Sequence, residues 1–111
     1  MPELAEVAYA CGRWNPSIGK VVKKVYANPY SRVYRDLSRE CVVSELTKAK
    51  LISSATHGKQ MLFKLSGHRW LGIHLGMTGS LQIEGSNYQS HKHDALILFQ
   101  SKKALIFRDP R

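Results

Sequence analysis

Acidic residues are scarce in this 111-residue chain: 8 Asp and Glu face 17 Lys and Arg, a formal net charge of +9. That imbalance points to a polyanionic partner, nucleic acid first and an anionic membrane second. The basic residues are spread along the chain and not gathered into a tail, so they are expected to decorate a folded surface. Cysteine is nearly absent. Cys11 and Cys41 give neither a disulfide framework nor a metal-ligand spacing, and both sit beside apolar residues, as buried thiols do. No apolar stretch approaches the ~20 residues a transmembrane helix needs. No basic lead followed by an apolar run marks a signal peptide. A cytoplasmic, nucleoid-associated protein is therefore expected, with no membrane partner. Repeats and low-complexity segments are missing too. The length allows one domain, large enough to bury roughly 60–70% of the surface its unfolded chain exposes.

What is present is a helix followed by many short strands. Leu4, Val7, Ala8 and Cys11 recur at helical spacing and predict a helix over residues 3–13 with one buried stripe. Glu3 and Glu6 fall on a neighbouring face, and Gly12 with Asn15-Pro16 ends the element. Lys20 to Ala27 alternates as a half-buried strand does, residues 30–36 read as a second short strand, and 39–48 as a short helix. Further strands follow at Leu51–Ala55, at Met61, Phe63 and Leu65, at Leu71, Ile73 and Leu75, and at Leu81 and Ile83. Ser66-Gly67-His68 turns the chain and Gly85 to His91 forms a polar loop. Leu96–Phe99 and Ala104–Phe107 are nearly continuous apolar strands joined at Ser101-Lys102. The expected fold is mainly β: a two-layer antiparallel sandwich or barrel with an N-terminal α-helix and one further short helix.

The opening residues Met1-Pro2-Glu3-Leu4-Ala5-Glu6-Val7 carry the chemistry. Removal of Met1 would make Pro2 a terminal secondary amine. Such an amine attacks carbonyl-type carbon and gives an iminium, which keeps its positive charge and acts as an electron sink. Glu3 is the adjacent carboxyl group that can move protons. The amine would stand near the positive end of the helix dipole, which favours its neutral, nucleophilic form.

This opening resembles the formamidopyrimidine-DNA glycosylase / endonuclease VIII family, which begins Met-Pro-Glu-x-Pro-Glu; Ala5 replaces the second proline. Four further blocks are similar to the same family. His57-Gly58-Lys59-Gln60-Met61-Leu62-Phe63 resembles its Gly-Lys-Tyr-Leu-Leu-Phe strand, and Ile73-His74-Leu75-Gly76-Met77-Thr78-Gly79 its Ile-His-Leu-Gly-Met-Ser/Thr-Gly turn. Lys92-His93-Asp94 resembles Lys-His-Asp-His, with Ala95 in the last place, and Phe107-Arg108-Asp109-Pro110-Arg111 resembles the start of Asn-Asp-Pro-Arg-Arg-Phe-Gly. The resemblance implies a bifunctional glycosylase and abasic-site lyase for oxidised purines, formamidopyrimidines and 8-oxoguanine. Pro2 would be the nucleophile, Glu3 the proton carrier, Glu6 its orienting partner and Lys59 a phosphate contact beside the lesion. His74 would hold phosphate. Met77 would fill the gap left by the extruded nucleotide and Arg111 would face the estranged base. Lys92 and His93 would lie on the DNA side, with His93 and Asp94 also holding their loop together. The partner implied is damaged double-stranded DNA, bound by a monomer. The family's second half, with a helix–two-turn–helix and a four-cysteine zinc finger, has no counterpart here. Residues 1–111 would thus be the N-terminal catalytic domain, with no cofactor of its own and a structural zinc implied only for the absent half.

Other readings fit parts of the pattern. Lys59 alone is an ordinary surface lysine, Met77 alone a core methionine, and His74 a structural histidine. His91, His93 and Asp94 could be taken for a metal site, but they lack a further ligand. A non-catalytic DNA-binding module or remnant of the family explains the charge without needing Pro2 as a terminus. A small RNA-binding barrel explains the charge but not the Pro-Glu opening.

Overall fold

The computed structural model describes residues 4–29, 39–58, 60–74 and 79–109, the side chains of residues 4–6 and 39 excepted. Helix α1 (Leu4–Gly12) leads through a 3-10 turn (Asn15–Ser17) to β1 (Lys24–Ala27) and then α2 (Arg39–Leu46). Six strands follow: β2 (Leu51–His57), β3 (Gln60–Leu65), β4 (Arg69–His74), β5 (Ser80–Gly85), β6 (Asp94–Phe99) and β7 (Lys103–Arg108). They form a three-stranded antiparallel sheet, β2-β3-β4, and, with β1, a four-stranded antiparallel sheet, β1-β6-β7-β5. The expected mainly β, two-layer fold with two helices is what the structure contains.

The main core lies between the sheets. Leu51, Met61, Phe63, Leu65 and Ile73 come from one side, and Val25, Leu81, Leu96, Leu98, Leu105 and Phe107 from the other. Strand alternation produces this: every second side chain points inward. A smaller cluster of Ile97, Ala104 and Ile106 lies on the opposite face of β6 and β7, packed by Tyr26, Tyr88 and Phe99. Being buried on both faces explains why β6 and β7 read as continuous apolar runs. It also makes the residue 85–91 segment more than a polar loop, because Tyr88 covers that second cluster.

Three expectations need correction. The buried stripe of α1 is Val7, Ala10 and Cys11, continued by Trp14 in the turn after it, while Ala8 is exposed. The helix is rotated to dock Trp14, whose ring packs 4.7 Å from that of Phe63 and whose Nε1 donates to Gln82 O at 3.0 Å. Cys41 is exposed, unlike Cys11, because the inward positions of α2 are taken by Val42, Val43 and Leu46. The Lys20–Ala27 run splits between two neighbours. Its first part bonds to the segment before β2, Val22 N to Ala49 O and Lys48 N to Val22 O, each at 2.7 Å. Only its second part pairs with β6. The period slips between the two, leaving Lys23 and Lys24 both exposed. The expected strand at 30–36 and Leu75 at the end of β4 lie outside the described residues.

Candidate functional site

Of the sequence-nominated residues, the structure describes the side chains of His74, Lys92 and His93. Pro2, Glu3, Lys59, Met77, Arg111 and the side chain of Glu6 lie outside the described residues. The chain ends to which those residues are joined can nevertheless be placed. Ser54 Oγ and Asn15 Oδ1 are 2.8 Å apart, and Cys11 Sγ lies 3.7 Å from Ala55 O. Lower residue numbers on the helix thus lie beside higher ones on β2. Helix α1 runs antiparallel to β2, with its N-terminal end toward His57. The register pairs His57 with Gln60 and Gln60 with His74, so the Gly58 turn and the C-terminal end of β4 share that same end.

The second sheet offers a matching end. Ser80 pairs with Arg108, and Arg108 with Asp94. From His74 to Ser80 the chain takes six steps, which bounds the separation of the two ends at about 21 Å. The start of α1, the Gly58 turn and the end of β4 share one end of the three-stranded sheet, and the start of β5, the start of β6 and the end of β7 share one end of the four-stranded sheet. Gly58 adopts φ +60° there, a left-handed conformation that glycine takes without strain.

A polar network stiffens the β6–β7 part of the four-stranded sheet's end. The Asp94 carboxylate accepts from Tyr88 OH (2.6 Å), His91 N (2.8 Å) and Arg108 Nε (2.9 Å), and Arg108 Nη2 donates to Tyr88 OH (2.9 Å). Burial alone would push the Asp94 carboxyl up. The hydrogen bonds from Tyr88, Arg108 and the His91 backbone, together with the Arg108 charge, outweigh it and hold the carboxyl below its usual value. Tyr88 is pushed up, first by burial and then by its bond to Asp94. Asn28 Nδ2, buried, donates to Lys92 O (3.1 Å) and Asp94 O (2.9 Å), and Asp109 N donates to His93 O (2.8 Å). Lys92 and His93 are thus pinned by their backbones while their side chains stay exposed. They line an open recess of about 540 Å³ with Gln89, Ser90, His91 and Arg108, a basic surface suited to phosphate.

Asp94 spends its acceptor sites inside this network, and among the described residues no three His, Cys, Asp or Glu side chains come together as metal ligands. Tyr88, Arg108 and Asn28 were not singled out from the sequence. An arginine directly before Asp109-Pro110-Arg111 was the available signal for Arg108; Asn28 had none.

The family model described as formamidopyrimidine-DNA glycosylase N-terminal domain matches residues 1–111. The formamidopyrimidine-DNA glycosylase of Thermus thermophilus is 33% identical over 112 residues, covering 100% of this chain and 38% of its own. That of Rickettsia bellii is 29% identical over 113 residues, covering 100% and 41%. Among solved structures, the Lactococcus lactis Fpg complex with an abasic site containing DNA matches with a TM-score of 0.88 and 25% identity, over 99% of this chain and 41% of that one. A complex of the same protein with Fapy-dG containing DNA gives a TM-score of 0.86 at 25% identity, over 96% and 40%. The chain spans about two fifths of the length of these curated relatives.

Proposed function

The chain belongs to the formamidopyrimidine-DNA glycosylase N-terminal domain family, and from that premise we propose that it supplies the catalytic half of a bifunctional DNA glycosylase and abasic-site lyase for oxidised purines. One observation carries the reading. The Gly58 turn and exposed His74 share one end of the three-stranded sheet, exposed Lys92 and His93 directly precede β6 at the Asp94–Arg108 end of the four-stranded sheet, and the protein carries a net charge of +9.

In this mechanism the Pro2 nitrogen forms a bond to C1′ of the damaged nucleotide as the bond from C1′ to the base breaks, and the base departs with the proton that the amine gives up. Glu3 protonates the sugar ring oxygen, the ring opens, and the charge rests on the iminium nitrogen. The iminium withdraws electrons from C2′. Loss of a C2′ proton then expels the 3′ phosphate, and a second elimination expels the 5′ phosphate. Glu6 orients the pair. Lys59 and His74 hold the backbone phosphates, while Met77 and Arg111 occupy the space vacated by the extruded nucleotide, offsetting part of the few kcal/mol that unstacking costs.

The test is trapping. Protein freed of Met1 is incubated with a duplex carrying an abasic site, and borohydride is added. A covalent protein–DNA adduct is expected, and it should vanish in Pro2→Gly with an acetylated terminus. A parent protein that binds duplex in a salt-sensitive way yet never forms the adduct is a non-catalytic binding module instead.

A further inference from the structure

The outer face of β2-β3-β4 is exposed among the described residues, save for half-buried Leu62 and Lys64, and its residues fall into three rows across the strands. Register places Ser53, Lys64 and Trp70 in one row, Ala55, Leu62 and Gly72 in the next, and His57, Gln60 and His74 in the row at the catalytic end. Trp70 is 59% exposed, an unusual setting for the largest apolar side chain. Lys64 Nζ stands 5.7 Å from the centroid of its ring, a cation–π contact that leaves much of the ring open. Between the outer rows the surface is low: a Cβ on Gly72 would come within 2.7 Å of Gln60 Nε2, so Gln60 lies flat across that position.

Among the described residues the three outer rows carry Lys64, His57 and His74 and no Asp or Glu, while Arg69 falls on the other side of β4 and pairs with Glu45 at 2.7 Å. An aromatic platform beside cations, with no carboxylate on the same sheet, complements a polyanion whose bases are free to stack. Duplex DNA hides its base faces; an unpaired strand offers them. β4 also runs directly from Trp70 to His74, about 13 Å along the strand, so the face continues the catalytic end without a break.

We propose that this face is a docking surface for single-stranded DNA, with Trp70 stacking on a base, Lys64 facing a phosphate, and the strand crossing the Gly72 trough toward His57 and His74. The proposal rests on the DNA-directed reading above and extends it: the protein would hold an unpaired arm next to the lesion site as well as duplex.

Titration with an oligothymidylate of about twelve nucleotides tests it, since single-strand sites span roughly 4–16 nucleotides. Trp14 is wholly buried, so acrylamide quenching of the protein's fluorescence reports Trp70. Oligothymidylate should shield Trp70 from acrylamide. Trp70→Ala should weaken binding about tenfold, Trp70→Phe should recover most of the loss, and Gly72→Val, which fills the trough and leaves Trp70 in place, should weaken binding about fivefold. Equal affinity of the parent and Trp70→Ala proteins overturns the proposal. So does shielding of Trp70 that depends on protein concentration and not on DNA, which would assign the face to a second copy of the chain. Borohydride trapping is scored in parallel on the parent. Trapping without Trp70-dependent binding removes this proposal alone, and Trp70-dependent binding without trapping removes the enzymatic reading alone.

Discussion

The two sheets treat their outer faces in opposite ways. On the four-stranded sheet Ile97, Ala104 and Ile106 are fully buried beneath Tyr26, Tyr88 and Phe99. On the three-stranded sheet Trp70 and Ile52 stand 59% and 43% exposed, and nothing among the described residues covers the rows between. The difference traces to the connections between strands. The long β5–β6 connection folds Tyr88 back and fastens it to Asp94 and Arg108, whereas β2, β3 and β4 are joined by tight turns at Gly58 and Gly67 with no chain to spare. A covered face stabilises; a bare one is free to bind.

That contrast can be broken from the covered side first. Asp94→Ala strips a buried carboxylate from three donors and leaves Arg108 without its counter-charge, so a loss of about 4 kcal/mol in urea unfolding is expected. The same pair sets an acid limit. A carboxyl whose folded value is depressed stabilises fully above its unfolded value, near 3.9, and loses that contribution as pH falls through the folded one. The stability gap between parent and Asp94→Ala should therefore be widest near neutral pH and shrink below pH ~4. Next comes Ile106→Ala, which opens a cavity in the small outer cluster and should cost about 3 kcal/mol by the same measurement. At the small end, Trp70→Ala on the bare sheet should shift unfolding by no more than about 0.5 kcal/mol. A large loss there would mean the face is covered after all.

Much of the fold was legible because period-two alternation survives in β3, β4 and β5, and because Gly12, Gly67 and Ser101-Lys102 punctuate the chain where elements end. The rotation of α1 was hidden: Ala8 and Ala10 are chemically alike, and only the pull of Trp14 toward Phe63 decides which faces inward. The split of Lys20–Ala27 was hidden too, since two successive partners leave no mark on an alternating run. At the candidate site, the family-like blocks pointed to His74, Lys92 and His93, all of which are exposed, His74 at the end of β4 and the other two just before β6. The network behind them was not readable, because it is built from Tyr88 in a polar loop, Asn28 some sixty residues away, and Arg108, to which the motif around it gave no role.

The pairing of β1 with β6 joins Lys24 to Phe99 and Ala27 to Leu96. Everything from α2 to β5 must be made before that ladder can close. The three-stranded sheet is a meander of neighbours and can form from local contacts alone, with α1 docking on it early. The other sheet closes over a loop of most of the chain, a slow event for a protein of this size. During synthesis β1 therefore waits as an unpaired edge until β6 emerges. Loop insertions in between would delay assembly far more than they would weaken the finished domain.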